Sequence, residues 1–384
     1  MAVDNPNLLN LLLAYSACHR ARLLSHPEPV NRIAVWVRDV FPSLRETLAD
    51  VSDAEVSNAN LATAIMLASL EIISPSSFGV AIPWQNHLSI ARSIIRSRAG
   101  PHSISRKDPV MYFLTRWLAY LDVLGSLSGR RNEEPLFGGN YWSSSHDAGS
   151  SARELSLTDE DGDDEDDYTI DCLLGFTTRC VSILAQVALL ARECERYRIE
   201  PESGQVNADW RPTSEILSRA SRLQKDLDHA RNHEQKQCTH HSPELKKAQL
   251  CIERRTSSAD RSDKDAEESL ATNSAFHWAG LVHLLRRVHN LPRSDAQVQN
   301  SVHQIVEILQ TIREGGSAEA CLLFPMFTAG VEAEDHMDRA VVLSRIRGAE
   351  GLGMCQVSRA RRIMEEVWRT GESWESLVTG EFFG

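Results

Sequence analysis

Strict alternation of apolar and polar side chains is brief wherever it occurs in the 384 residues, so the sequence offers no long half-buried strand. Phosphate-binding signatures are missing too. There is no Gly-x-Gly-x-x-Gly, no phosphate loop and no Gly-x-Ser-x-Gly elbow, which removes the commonest marks of nucleotide binding and serine hydrolysis. Basic charge is in deficit. Lysine and arginine number 41 against 53 aspartates and glutamates, which leaves no general grip on nucleic-acid phosphates. The most apolar stretch, 173–191, contains Arg179 and Gln186 and reads as a buried helix, not a membrane span. The first residues carry no basic n-region, and Asp4 to Pro6 reads as a helix cap with proline in the first turn. The eight cysteines are scattered and never form Cys-x-x-Cys. Neither a disulfide framework nor a cysteine-rich metal knuckle is indicated, and reduced thiols in a soluble intracellular chain fit better.

What the sequence does have is helical period. Val30, Ile33, Ala34, Val37, Val40, Phe41, Leu44 and Leu48 follow the three-four spacing of one apolar stripe. Trp84, His87, Leu88, Ala91, Ile94 and Ile95 repeat it. Further helices are predicted near 8–24, 57–74, 109–127, 171–198, 213–230, 272–290, 295–313, 338–347 and 356–370. The expected fold is all-α: one large helical domain over 1–384 with roughly a dozen helices. Two stretches interrupt it, 128–168 and 232–269, each short of aliphatic residues and read as disordered insertions. The net charge of −12 is largely the work of the first. Eight acids occupy the nine positions from Asp159 to Asp167, and without them the balance is 41 basic to 45 acidic residues.

Some clusters invite chemistry and are better read as scaffold. Residues 163–167, Asp-Asp-Glu-Asp-Asp, resemble the Mg²⁺ motif of terpene cyclases, which are also all-α. The second metal motif of those enzymes is missing, so the run reads as a solvated loop. His229, His233, Cys238, His240 and His241 are of zinc-ligating types, but Ala230 stands where a metalloprotease needs its glutamate. His87 is read as a core histidine. Glu71, inside Leu-Ala-Ser-Leu-Glu-Ile-Ile, is expected to be buried with a partner, because an unpaired buried carboxylate is costly. Arg345, Arg347, Arg359, Arg361 and Arg362 are interleaved with acids and read as a paired surface.

Several segments together resemble a family of fungal-specific transcription factor domains, the regulatory halves of zinc-cluster regulators. These are 11–24, 61–75, 84–100 with its Trp-x-x-His-Leu, 113–127 ending in Tyr-x-Asp-Val, and 171–192 opening on Asp-x-Leu-Leu-Gly. The segments 277–288, 322–339 and 360–368 complete the order. Phe324 replaces the tryptophan that usually precedes the proline of the seventh segment. The larger departure is the missing cysteine cluster, through truncation, gene-model loss or divergence. Zinc would belong to that cluster, so this chain is expected to carry no cofactor.

The resemblance implies a nuclear, non-enzymatic regulator of RNA polymerase II transcription that controls a metabolic gene set. Its partners would be proteins of the transcription machinery or a second copy, with no membrane contact. An all-α enzyme of terpene-cyclase type and a helical scaffold are the alternatives. No catalytic, cofactor-binding or metal residue is assigned. One expectation is directly testable: base reading needs side chains held rigidly in a groove, and nothing here supplies them. Purified chain titrated against a duplex library at about 0.15 M salt is expected to enrich no sequence motif. Enrichment of one motif would point back to the 345–362 arginines.

Overall fold

The computed structural model describes residues 2–49, 58–75, 82–97, 108–128, 141, 165–171, 174–200, 204–237 and 258–384. Helix α1 (Pro6–Leu23) starts where the sequence predicts a cap, with Asn5 accepting the Leu8 amide at 3.0 Å and Pro6 in its first turn. The apolar stripe from Val30 to Leu48 is not one helix but two, α2 (Val30–Val37) and α3 (Val40–Ala49). Pro42 explains the break. Its ring would collide with the carbonyl four residues back, at Arg38, and the chain turns at Arg38–Asp39 instead.

Helix α4 (Asn58–Ile73) is the axis of the N-terminal half: every residue from Asn60 to Ile73 is buried. It packs against α1, α5 (Trp84–Ser97) and α6 (Pro109–Ser128). Helix α7 (Thr178–Arg198) lies along α6 and carries the chain into the second half. It begins seven residues later than its periodicity suggests, because the Gly175 amide turns back to the Asp171 carbonyl before the helix starts. Asp171 accepts the Leu174 amide at 3.2 Å, Gly175 takes φ +82°, and Thr177 caps the helix through the Cys180 amide at 3.1 Å. A side chain at Gly175 would be strained by that φ and would also meet Thr272.

The second half comprises α8 (Ser214–Asn232), α9 (Ser258–His283) with a π-turn at Leu284–Val288, and α10 (Ala296–Thr311). Then follow α11 (Leu323–Glu332), α12 (His336–Glu350), α13 (Cys355–Thr370) and the short α14 (Trp374–Leu377). Helix α13 returns to pack on α4. There Cys355 donates to the Ile72 carbonyl at 3.3 Å, and the His19 Nε2 lies 2.7 Å from the Leu352 carbonyl. Among the described residues, strand pairing amounts to one parallel pair of two-residue strands, β1 (Thr169–Ile170) and β2 (Lys236–Gln237), with isolated bridges beside it. The chain is all-α.

Most of the two expected insertions lies outside the described residues, but their flanks do not. Helix α9 starts at Ser258, fourteen residues before the sequence reading placed it, and so takes the end of the 232–269 stretch. Asp265 and Glu268 of that end both pair with Arg313. In the 128–168 stretch Tyr141 is fully buried and donates to Asp122 at 2.5 Å, while Tyr168 is 1% exposed. Asp122 also receives Arg92, so a buried carboxylate of α6 is satisfied from both sides.

Gly125 of α6 sits against the outer end of the Trp84 ring, where an added Cβ would overlap it. The ring cannot slide aside, because its Nε1 donates to the Gly380 carbonyl at 2.9 Å. Gly125→Ala is therefore expected to cost about 1–3 kcal/mol by overpacking. Urea unfolding measures this, and a cost under about 0.5 kcal/mol would show the contact to be soft.

Candidate functional site

Helix α7 is apolar until its last two turns, where Arg192, Glu195 and Arg198 recur at intervals of three and stay on its buried side. All three are inside the protein, with Arg198 2% and Arg192 4% exposed. Arg192 pairs with Glu195 at 2.7 Å and donates to the Ser126 carbonyl at 2.6 Å. Arg287, in the π-turn and 1% exposed, pairs with the other oxygen of Glu195 and donates to the Leu127 carbonyl at 2.7 Å. Glu375, from α14, lies 2.5 Å from Arg198 and 3.3 Å from Arg287. Three guanidiniums thus face two carboxylates. The excess positive charge meets the C-terminal carbonyls of α6, which are orphan acceptors at the negative end of the helix dipole.

The π-turn presents this cluster together with its surroundings. His283 stacks on Phe324 with centroids 5.2 Å apart and planes within 6°. Its Nδ1 faces Arg287 Nη1 at 3.5 Å and its Nε2 faces Thr328 Oγ1 at 3.2 Å. Because an arginine nitrogen can only donate, Nδ1 is the acceptor and the ring proton is assigned to Nε2. On the outer side Arg286 reaches Glu332 at 2.7 Å, and Arg293 approaches the same carboxylate at 3.6 Å. A cavity of about 10 Å³ lies between Val282, His283, Arg287, Thr328, Glu332 and Trp374. That volume holds one water at most.

The electrostatics follow from burial and pairing. Burial works to raise Glu195, but the Arg287 and Arg192 guanidiniums outweigh it and hold the carboxyl below its ordinary range. Glu375 is likewise opposed by burial and won by Arg198 and Arg287, which bring it to about 2. Burial, with help from the Arg287 charge, pushes His283 well below its usual value and keeps it neutral. Both carboxylates are committed to arginines and both His283 nitrogens have partners. This is the chemistry of a clamp, since no group is left with a free lone pair beside an open space.

The residues singled out from sequence lie elsewhere. Glu71 is buried at 5% exposed, as its apolar context predicts, and together with burial its charge raises the Cys355 thiol. His87 is a core histidine, tilted 5.6 Å from Phe41 and held to about 4 by burial. His233 stacks on Tyr168 at 3.7 Å, with the His229 ring 5.8 Å away, while Cys238, His240 and His241 fall outside the described residues. Of the acidic run, Asp159–Asp164 is outside them too, and Asp167 accepts from Thr178 at 3.1 Å. Arg361 pairs with Glu350 and Glu365 as expected. Arg345 departs from the surface reading. It is buried at 5% exposed, 3.0 Å from Glu319, and donates to the Ile312 carbonyl.

The sequence reading did not single out Arg192, Glu195, Arg198, His283, Arg287 or Glu375. A signal was present: charges at helical spacing inside or beside apolar runs, the same argument that picked out Glu71. Phe324, which departs from the usual tryptophan, is fully buried between Phe276 and His283, so an aromatic ring is what the position requires.

With this geometry in place, the sequence model of the fungal specific transcription factor domain matches residues 1–380. The chain belongs to this family. No curated protein and no solved structure matches it significantly. Among the described residues the cysteines do not fit the zinc cluster that such regulators carry. Cys180 and Cys194 are buried in α7 with thiols pushed up by burial, and the described residues contain no group of three or more His, Cys, Asp or Glu able to hold a metal.

Glu375→Gln leaves Arg198 and Arg287 short of a buried countercharge and is expected to cost about 3–5 kcal/mol. The wild-type contribution has a definite pH window. A carboxyl lowered in the fold stabilises fully above its unfolded value, and that stability is lost as pH falls through the folded value. For Glu375 the loss runs from about 4.5 down to about 2. Urea unfolding at stepped pH should show the two proteins converging across that window; a gap that stays constant would contradict the assignment.

Proposed function

We propose that this fungal transcription factor domain acts in the nucleus as the regulatory half of an RNA polymerase II regulator, controlling a metabolic gene set. The match of the family model over residues 1–380 carries this reading. In it, the helical body holds a partner or effector and passes the result to a linked zinc-cluster module, which alone reads DNA. Protein partners of the transcription machinery, or a second copy of the chain, are the contacts proposed.

We read the domain as non-catalytic. Supporting this, the buried acids Glu195 and Glu375 are locked by arginines, whereas a general acid or base needs reach to a substrate proton. No helix among the described residues is long and apolar enough to cross a membrane, which agrees with a nuclear protein.

The test is a fusion to a zinc-cluster module on a reporter bearing that module's site. The fused chain is expected to change output several-fold relative to the module alone, with unchanged preference for the DNA site. Output equal to the module alone, from a fusion shown to be folded and nuclear, would overturn the reading.

A further inference from the structure

Residues 371–384 run back from α13 as a strap across the body. Phe382 and Phe383 are buried, and Gly380 is held by Trp84. Between this strap and α13 lies an open groove of about 540 Å³, lined by Arg359, Arg362, Ile363 and Glu366 on the helix and by Leu377, Thr379 and Glu381 on the strap. Its size is that of a recognition site for a peptide side chain or two.

The charges in this groove are unequally committed. Glu366 accepts from Arg369 at 2.9 Å. Glu381 folds back onto its own strap, accepting the Thr379 amide at 2.7 Å, the Gly380 amide at 3.0 Å and the Thr379 hydroxyl at 3.1 Å. Burial would raise Glu381, and those donors lower it on balance. Arg359 and Arg362 differ. They sit one turn apart on the same face, and among the described residues neither makes an ion pair or hydrogen bond. Their neighbours Arg345, Arg361 and Arg369 are all paired. The unspent capacity of the groove is therefore cationic, two planar forks suited to carboxylates, with Ile363 and Leu377 half-buried beside them.

We propose that the groove between α13 and the C-terminal strap binds an acidic peptide of a partner protein. Its carboxylates engage Arg359 and Arg362, and an aliphatic side chain rests on Ile363 and Leu377. Charge complementarity selects this occupant: the acids are satisfied from within, so an incoming cation would have to displace existing bonds, whereas an incoming anion finds free donors. The proposal rests on the reading of the domain as a partner-binding regulator and names the chemistry of one such partner.

The test uses the full chain and a fluorescein-labelled peptide of alternating Asp and Leu, followed by anisotropy. Arg359→Glu/Arg362→Glu is compared with Arg32→Glu/Lys225→Glu, which makes the same change of net charge at exposed positions elsewhere. Binding should weaken as salt rises from about 0.05 to about 0.3 M. The groove variant should lose about tenfold or more in affinity, and the control variant much less. Equal loss in both variants would mean diffuse attraction, and absence of binding at the lowest salt would mean no site; either overturns the proposal. A third chain has the acids of Asp159–Asp167 changed to Asn and Gln. Binding that appears only there would make the chain's own run the occupant, and would overturn the assignment to a partner. A failed peptide titration with an active reporter fusion would remove this groove and leave the regulatory reading in place.

Discussion

A guanidinium with almost no water around it governs how the helices meet at Arg287. Taking such a charge into a helical interior costs several kcal/mol unless its donors are met. Here they are met from four directions: the Leu127 carbonyl of α6, Glu195 of α7, Glu375 of α14 and Nδ1 of His283. A small shift of any of these elements would leave a buried charge exposed to apolar surroundings. Buried ion pairs often add less to stability than apolar side chains of the same volume, but their directional bonds constrain geometry in a way that an aliphatic seam does not.

The C-terminal strap extends that control to the N-terminal half. Trp84 donates to Gly380, and the Phe383 amide donates to Ser128 Oγ at 3.2 Å, so α5 and α6 are tied to residues near the end of the chain. The same halves are joined a second time where α13 meets α1 and α4. In these ties the sequence separation is in the hundreds, for example 296 between Trp84 and Gly380. Contacts of that kind form late and slowly, since the loop must close before any of its interactions is gained. The strap also forms one wall of the groove on α13, so whatever occupies that groove presses on a segment already anchored to the core.

The helices were legible because their information is local. Period, caps and the proline at α1 place most boundaries within a turn. Where the reading failed, one residue usually explains it. Pro42 divides an otherwise continuous stripe, and the turn at Asp171 to Thr177 delays α7. The first turns of α9 are polar and read as loop, yet Asp265 and Glu268 find Arg313 across a gap of more than 40 residues, which no window of sequence can see. The buried network was hidden for the same reason. Arg198 and Glu375 each look like an ordinary surface charge until the fold brings them together. Glu71 gave itself away because its neighbours were apolar on both sides.

The π-turn at Leu284–Val288 has a consequence for length and not only for composition. A π-turn holds one residue more than the α-helical path it replaces. Deleting one residue there would let the helix close regularly along the same path, so the elements beyond would keep their places while the wide bond from the His289 amide to the Leu284 carbonyl was lost. A deletion between His283 and Arg287 would instead shorten their spacing and so disturb the contact of the Arg287 guanidinium with His283 Nδ1. The segment from His283 to Asn290 thus works as a gauge block: substitutions within it test side chains, whereas a change of one in its count tests whether Arg287 still reaches Glu195 and Glu375.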